Sequence, residues 1–350
     1  MKRMHGRAGG AVEGRLRLAH GNGGPLLREL LAEVAGALGA AGPGAALGLD
    51  AAPVGPVPAQ GELLLTTDAF TVHPYRFPGG DLGRLAAHGT LNDLAVAGAD
   101  PVALTLDVVA AEGLPLAELR EMLGSLGRAA RAQGVRVLAG DTKVVGHGEL
   151  GPGGLLLATT GLGLRPPGVT LDPRAPRPGD RVLVSGPVGD HGAAVLLARE
   201  AFGLSGAHPS DCACVLPLAR EARELPGVRV LRDPTRGGLA SCCHELAGAC
   251  GLGLRLEEAA VPVAAPVRAL CQLLGYEPWH LACEGRVVAV AAPEAAGELL
   301  ARWRGLPLGR EAACIGEVVA EAEAPVVLAT AAGGERVLEE LGDEPLPRIC

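Results

Sequence analysis

The chain ends in a cysteine, Cys350, on an arm that two prolines, Pro345 and Pro347, bias away from helical conformations. Ten extended residues span roughly 30 Å, so such an arm could carry its thiol from one reactive centre to another. The alternative is a frayed end that stops at a cysteine by coincidence, because chain termini are often poorly ordered. A prenylation signal is excluded, since that signal places its cysteine fourth from the end.

Three aspartates lie beside Thr, Asn or Gly at predicted strand or turn ends. They occur in the segments Thr66-Thr67-Asp68, Asn92-Asp93 and Gly140-Asp141-Thr142-Lys143. Carboxylates in such surroundings suit Mg²⁺ that is shared with phosphate oxygens. We therefore predict Asp68, Asp93 and Asp141 as metal ligands that also contact the nucleotide. Asn92 and Thr142 are predicted nucleotide contacts beside them. Taken singly, each segment is also explained by a turn, because Asp, Asn and Gly favour turns.

A glycine-rich turn precedes the first predicted helix. It reads His20-Gly21-Asn22-Gly23-Gly24, and Pro25 follows, a residue suited to the first helical turn. The backbone N–H groups of such a turn, next to a helix N-terminus, can bind phosphate, so these five residues are predicted cofactor contacts. The turn is neither a Walker A loop nor a G-x-G-x-x-G motif. Lys143 is a further candidate, either as a phosphate contact or as a base.

The second half of the chain contains another glycine-rich segment before a predicted helix. This segment, 233–238, reads Asp-Pro-Thr-Arg-Gly-Gly, and the helix after it carries His244-Glu245. Glycine at a helix start with an adjacent arginine is an anion-binding arrangement. Glu284-Gly285 comes shortly before a predicted strand. His191 and His280 stand alone, and a lone histidine is more often structural than catalytic.

Composition limits the classes of protein that the chain can belong to. A length of 350 residues is typical of two domains. The hydrophobic fraction of 48% is enough for a packed core. A net charge of −8 argues against a nucleic-acid partner. The nine cysteines are odd in number and irregular in spacing, so a disulfide framework and a structural zinc site are both disfavoured. No signal peptide follows the basic N-terminus and prolines interrupt the apolar stretch 34–61, so a soluble cytoplasmic protein is expected.

Helical and strand periodicities alternate along the chain and predict an α/β (α+β) protein with two domains. In the first half, after a helix that opens at Pro25, the predicted helices are 82–97 and 116–133, and the predicted strands are 62–70, 101–110, 135–139 and 155–164. The predicted helices of the second half are 193–202, 212–225, 239–250 and 267–274, and its predicted strands are 181–185, 252–256, 287–291, 315–319 and 326–329. The Pro/Gly-rich stretch 166–179 reads as a linker. We predict domains at 1–165 and 180–340 and a mobile tail at 341–350.

Several of these segments together resemble one protein family across nearly the whole chain. They are His20–Gly24, Thr67-Asp68, Phe77-Pro78-Gly79-Gly80, Gly89-Thr90-Leu91-Asn92-Asp93, Gly140 to Val145, Gly189-Asp190-His191-Gly192, Thr235-Arg236-Gly237-Gly238, Glu284-Gly285 and Pro347-Arg348-Ile349-Cys350. The family is HypE, the carbamoyl dehydratases of hydrogenase maturation. The internal segments also resemble the wider superfamily of aminoimidazole ribonucleotide and selenophosphate synthetases. Cys283 is a departure, because the family pattern has Asn before Glu-Gly.

The resemblance implies a PurM-like fold whose N-terminal domain binds Mg-ATP and forms a homodimer. It implies that a carbamoyltransferase, HypF, loads a carbamoyl group onto the thiol of Cys350. ATP then activates the carbamoyl oxygen and phosphate leaves, which gives a thiocyanate whose cyanide passes to the HypC–HypD iron scaffold. Lys143, Glu284 and His244, in that order, are the candidates for proton transfer.

Two alternatives remain open at this point. A selenophosphate synthetase would need a reactive cysteine near the glycine-rich turn, whereas the first cysteine of this chain is Cys212. A non-enzymatic thiol carrier would need the terminal cysteine but no carboxylate, magnesium and ATP constellation.

Overall fold

A computed structural model describes residues 24–25, 28, 52–57, 61–146, 149–150, 154–199, 203, 208–320, 323–330 and 332–342 of the chain. The predicted phosphate-binding residues His20, Gly21, Asn22 and Gly23 and the reactive Cys350 lie outside the described residues. None of the helices in the described part is both long and apolar enough to cross a membrane.

The first half of the chain forms a five-stranded sheet and a small hairpin. The strands are β1 (Ala52–Val57), β2 (Gly61–Phe70), β3 (Arg76–Phe77), β4 (Gly80–Asp81), β5 (Asp100–Ala111), β6 (Arg136–Val145) and β7 (Leu155–Arg165). The order in the sheet is β1-β2-β7-β5-β6, with β3 and β4 paired separately. Only β5 and β6 of the five run parallel. The helix that connects these two strands is α2 (Leu116–Ala132), and α1 (Leu82–Val96) precedes β5.

Helix α1 lies in the middle of the molecule and is buried on nearly all sides. Asp81 caps it, because its Oδ1 accepts the N–H of Arg84 at 2.8 Å. Gly83 lets α2 approach closely, since a Cβ there would lie 1.9 Å from the carbonyl oxygen of Met122. A helix that is apolar or small all round is expected at such a buried position.

The second half forms a seven-stranded sheet with helices around it. The strands are β8 (Arg181–Val184), β9 (Val228–Arg232), β10 (Gly253–Glu257), β11 (Val288–Ala291), β12 (Ala313–Val319), β13 (Val326–Ala329) and β14 (Glu335–Val337), in the order β14-β13-β10-β12-β8-β11-β9. The helices are α3 (Asp190–Ala198), α4 (Leu216–Arg223), α5 (Gly238–Cys250), α6 (Ala265–Leu274) and α7 (Pro293–Arg304).

The two halves pack against each other through shared apolar clusters. Leu91 and Leu104 of the first half lie in one cluster with Val215, Leu218 and Trp303 of the second half, and all are nearly inaccessible to solvent. An ion pair reinforces this contact, because both Arg220 and Arg223 bind Asp100 at 2.7 Å. Residues of the two sheets can therefore meet at one boundary.

The structure corrects several of the predicted elements and adds strands β1, β3, β4, β9 and β14, which were not predicted. Helix α4 begins at Leu216 and not at 212, because residues 212–215 form no regular secondary structure and the N–H of Val215 bonds to Asn92 of the first half. Strand β6 was expected to be short and buried, but it spans Arg136–Val145 at the edge of its sheet, with Leu138 exposed. Helix α7 was not predicted.

Candidate active site

Three carboxyl groups from both halves meet at the boundary between the sheets. Asp68 comes from β2, Asp233 follows the end of β9, and Glu284 precedes β11. Burial raises the pKa of Glu284 well above its usual range, and the charges of Asp211, Asp233 and Asp68 raise that pKa further. We call Asp68, Asp233 and Glu284 the carboxylate cluster. The Arg236 guanidinium opposes these effects on Glu284, so it supplies positive charge to the cluster.

Hydrogen bonds to its backbone and the burial of its side chain both restrain Glu284. Its side chain is almost completely buried, and Asp211 accepts the N–H groups of Glu284 at 3.1 Å and of Gly285 at 3.2 Å. A Cβ at Gly285 would lie 1.9 Å from the carbonyl oxygen of Asp211, so glycine is required after the glutamate. Asp211 is fixed in turn by the Arg286 guanidinium, 3.5 Å away. This support keeps the Glu284 carboxyl in one place.

Asp233 and Asp68 share the same buried environment. Burial raises the pKa of Asp233 to about 6, Arg232 lowers it, and the charges of Asp68 and Glu245 raise it. Burial also raises the pKa of Asp68, against the lowering effect of Arg236. Crowded carboxyl groups of this kind either retain a proton or attract a cation.

The start of helix α5 borders the cluster. Gly237 and Gly238 have positive φ, and a Cβ at Gly238 would lie 2.5 Å from the carbonyl oxygen of Leu281. The helix begins at Gly238, two residues after Arg236, and no side chain caps its first N–H groups. Free N–H groups at a helix N-terminus beside an arginine suit a phosphate.

Asn92 and Asp93 are placed by α1, next to the cluster but with other contacts. Asn92 donates to the carbonyl oxygens of Ala213 and Glu284 at 3.0 and 3.3 Å, and its Oδ1 accepts the N–H of Val215 at 2.8 Å. Its amide therefore fastens the segment 212–215 to the first half. Asp93 accepts the hydroxyl of Thr66 at 2.7 Å. Asp93 and the cluster residue Asp68 thus lie on neighbouring elements, α1 and β2.

Asp141, Thr142 and Lys143 lie on the edge strand β6, and the structure does not bring them to the cluster within one chain. Two strands separate β6 from β2, which corresponds to roughly 14 Å between backbones. Within one chain this separation keeps the backbones of Asp68 and Asp141 apart, and the joint Mg²⁺ site predicted for these residues stays a prediction. Lys143 is exposed, and its backbone lies beside Val109. Among the side chains that the structure describes, no three Asp, Glu, His or Cys groups are arranged to hold a metal ion.

His244 lies on α5, and its Nε2 is already used in a hydrogen bond to the backbone. Its Nε2 donates to the carbonyl oxygen of Leu338 at 2.7 Å, near the end of the described chain. Gly24 lies in the same region, because a Cβ there would be 2.6 Å from the carbonyl oxygen of Leu341. Both residues therefore contact the segment that leads into the tail.

Sequence reasoning did not select the residues that support Glu284. Asp211 stands in no recognisable motif, and its role appears only when the chain brings it beside Gly285. The segment 233–238 did signal Asp233 and Arg236, although it predicted an anion site and not a carboxyl group of the cluster. Predicted roles for Lys143 and for Asp141 remain predictions, because the structure describes the backbone of Asp141 but not its side chain.

The chain matches known proteins over both halves. Residues 48–165 match the N-terminal domain of AIR synthase related proteins and residues 177–328 match their C-terminal domain, which confirms the predicted two-part α/β architecture. A curated relative, carbamoyl dehydratase HypE of Cupriavidus necator, is 46% identical over 295 residues, 84% of each chain.

Two solved structures give the same result. HypE in a HypE–HypF complex is 36% identical with a TM-score of 0.82, covering 91% of this chain and 100% of that one. HypE in complex with ATP is 40% identical with a TM-score of 0.78, covering 84% of this chain and 89% of that one.

Proposed function

This chain belongs to the carbamoyl dehydratase HypE family, and we propose that in hydrogenase maturation it converts a carbamoyl group on its own Cys350 into a thiocyanate at the expense of ATP. The observation that supports the proposal most directly is the buried Glu284 beside Asp68, Asp233 and Arg236, where the two halves meet. Such a site contains a fixed carboxyl for proton transfer and an adjacent positive group for phosphate. The cyanide derived from the thiocyanate would be the one supplied to the hydrogenase iron centre.

The proposed reaction has two stages, and each stage accounts for every atom. The carbamoyl oxygen attacks the γ-phosphorus of ATP, the bond to the β-phosphate oxygen breaks, and ADP leaves. The two protons on the carbamoyl nitrogen are then removed, the carbon–oxygen bond breaks with release of inorganic phosphate, and the carbon–nitrogen triple bond forms. A solved relative holds ATP, which supports ATP as the phosphoryl donor here.

Glu284 is the candidate that the geometry favours for proton removal. Its raised pKa makes its carboxylate a stronger base than that of an exposed glutamate. His244 is less suitable, because its Nε2 is already bonded to Leu338. Lys143 stays a candidate only if a second chain or the nucleotide brings β6 to the site.

The residues present suit a magnesium ion beside the nucleotide. Asp68 and Asp233 offer hard carboxylate oxygens, and burial raises the pKa of both, a cost of ionisation that a bound cation would offset. When bound there, Mg²⁺ would neutralise charge on the transferring phosphoryl group. Arg236 and the N-terminus of α5 would hold phosphate oxygens from the other side.

The proposed partners are a second copy of the chain, the carbamoyltransferase HypF and the HypC–HypD scaffold. A solved HypE–HypF complex supports HypF. The homodimer is supported by the first sheet, where Leu65, Val102 and Leu138 are 42%, 50% and 59% exposed. Exposed apolar side chains on one sheet are typical of an interface. HypC–HypD and the cytoplasmic location rest on the family resemblance.

Mass spectrometry of the C-terminal peptide tests the proposed activity. The protein is incubated with carbamoyl phosphate, the carbamoyltransferase and Mg-ATP, with the non-hydrolysable ATP analogue in a parallel sample. We expect Cys350 to gain a carbamoyl group in both samples and to lose one water mass only with ATP. A thiocyanate that accumulates in Cys350→Ala, or a carbamoyl group that stays intact with ATP, would refute the proposal. The selenophosphate synthetase and thiol-carrier alternatives have no structural observation in their favour.

A further inference from the structure

The segment that leads into the tail is held by two histidines. His244 on α5 donates from Nε2 to the carbonyl oxygen of Leu338 at 2.7 Å, and His280 donates from Nε2 to that of Glu339 at 3.0 Å. A carbonyl oxygen only accepts, so each Nε2 carries the proton. We call residues 338–342 the tail root. The two bonds fix consecutive carbonyl groups just after strand β14 ends at Val337.

The N-terminal segment holds the next two residues of the tail root. Arg28 forms an ion pair with Glu340, whose side chain is only 5% exposed. Gly24 has a φ of +79°, and a Cβ there would lie 2.6 Å from the carbonyl oxygen of Leu341. Removing Arg28 would leave a nearly buried carboxylate without its partner, which is more costly than losing an exposed ion pair.

The tail root lies at a distance from the carboxylate cluster that the tail can span. Gly238, at the start of α5 beside Arg236, is six residues from His244, roughly 9 Å along the helix axis. The eight residues from 343 to 350 reach at most about 28 Å when extended. An arm that starts at the tail root can therefore bend back to the cluster of its own chain with length to spare.

We propose that His244, His280 and Arg28 are positioning residues for the dehydration reaction. They hold the tail root beside α5. The thiol of Cys350 is therefore tethered close to the carboxylate cluster and is confined to a smaller volume around it. They take no part in proton transfer. This inference rests on the proposed function for its kinetic consequence, whereas the anchor itself is testable without any activity.

Without the anchor, the tether would begin after Val337 and comprise the thirteen residues 338–350, instead of the eight residues 343–350. The effective concentration of a tethered group falls with about the −3/2 power of the tether length, so the longer arm lowers it about twofold. A tail root that is no longer held in one orientation would lower the effective concentration further. We therefore expect at least a twofold slower single-turnover dehydration when the anchor is broken.

The test compares an attached with a detached carbamoyl group. The first substrate is the full chain carbamoylated at Cys350, with rates normalised to the loaded fraction. The second is a synthetic peptide of residues 344–350 with an S-carbamoyl cysteine, added to chains that carry Cys350→Ala.

The variants are His244→Leu and Arg28→Met, with His244→Gln as the conservative change that keeps an N–H donor. Arg302→Met is the matched control, because Arg302 forms ion pairs with Glu298 and Glu221 far along the chain from the tail root.

The proposal expects slower turnover of the attached group in His244→Leu and Arg28→Met, recovery in His244→Gln, and unchanged turnover of the peptide. Equal losses with both substrates would overturn it, since His244 would then act on the chemistry. Unchanged rates with both substrates would overturn it as well. Five Gly/Ser residues inserted after Gly342 should slow the wild-type chain to the same extent, and an unaffected rate in that insertion contradicts a positioning role.

Hydrogen exchange separates the anchor from the activity. Amide exchange within residues 338–342 should become at least tenfold faster in His244→Leu and Arg28→Met and stay unchanged in Arg302→Met. If protection there is unaltered, no anchor exists. If wild-type protein dehydrates neither substrate while the exchange result holds, the proposed function fails and the anchor stands. Arg28 is 46% exposed, so its variant is expected to fold even if His244→Leu does not.

Discussion

At the scale of residues, the site is built around carboxyl groups that are costly to ionise. Glu284 is buried, supported by Asp211 through two backbone N–H bonds, and surrounded by acidic neighbours. The buried, acidic environment that raises the pKa of Glu284 also makes its ionised form unfavourable for the folded state. The Cys283 beside it, where the family pattern has Asn, is fully buried and accepts the N–H of Gly189 through its sulfur at 3.2 Å. That position therefore serves packing in this chain.

Glu284→Gln should load the carbamoyl group but dehydrate it at least about 100-fold more slowly, because a general base typically contributes a factor of that size or more. The fold should persist, since the hydrogen bonds at Glu284 use its backbone. Single-turnover mass spectrometry of the Cys350 peptide measures the rate. Glu245→Gln is the control, because Glu245 pairs with Arg232 near the same cluster. Equal losses in the two variants would assign the effect to the net charge of the cluster.

Asp233 should make the folded protein less stable as the pH rises through the mildly acidic range. A carboxyl whose pKa is raised on folding opposes folding once it ionises, so the free energy of unfolding falls between its ordinary pKa of 3.8 and the folded value of about 6. Asp233→Asn should flatten this part of the profile, by on the order of 2 kcal/mol. Urea unfolding from pH 4 to 7, without nucleotide or Mg²⁺, measures it. Parallel profiles for the variant and wild type would contradict the raised pKa.

At the scale of elements, the segment 212–215 is bonded to the first half through the side chain of Asn92. Asn92 on α1 satisfies a backbone N–H and two carbonyl oxygens of the second half. Asn92→Ala should lower the free energy of unfolding by about 3 kcal/mol, because buried polar groups are left without partners. Ser125→Ala removes a single bond to Asp81 within the first half and should cost about 1 kcal/mol. Similar small losses in both variants would show that the segment is not held by Asn92.

Some elements were predictable from sequence and others were not, for physical reasons. Helix α1 and strand β2 were predicted within one residue of their ends, because local periodicity and the Asp81 cap define them. The irregular segment 212–215 before α4 was predicted as helix, since its conformation depends on Asn92, more than a hundred residues away. Likewise, Asp141 looked like a strand-end ligand, but the parallel pairing of β5 with β6 places it inside a ten-residue edge strand.

The candidate site shows the same division. The motifs around Asp68, Asp233 and Glu284 identify residues that do meet at the boundary between the sheets. No local pattern reveals Asp211, because its importance arises from contacts across the fold. His244 was attributed to proton transfer from its residue type, whereas its hydrogen bond to Leu338 depends on where the C-terminal segment lies.

At the scale of the whole molecule, the exposed apolar face of the first sheet predicts association. Leu138→Asp combined with Val102→Asp should convert a homodimer into a monomer, because charges placed in an apolar interface are strongly unfavourable. Sedimentation velocity at micromolar concentration measures the change. Leu273→Asp is the control, since Leu273 is 67% exposed on α6 in the second half and should leave the dimer intact. A wild-type chain that sediments only as a monomer would contradict the prediction.

The contact between Gly24 and Leu341 brings together residues that lie near the two ends of the described part of the chain. Neighbouring ends usually tolerate circular permutation. A permuted chain in which a short linker joins Leu341 to Gly24, with new termini opened in the surface turn at Gly168, should therefore keep its fold. The same permutation removes the free arm and its thiol. The need for an open carboxyl end in this protein would then be a requirement of its chemistry and not of its architecture.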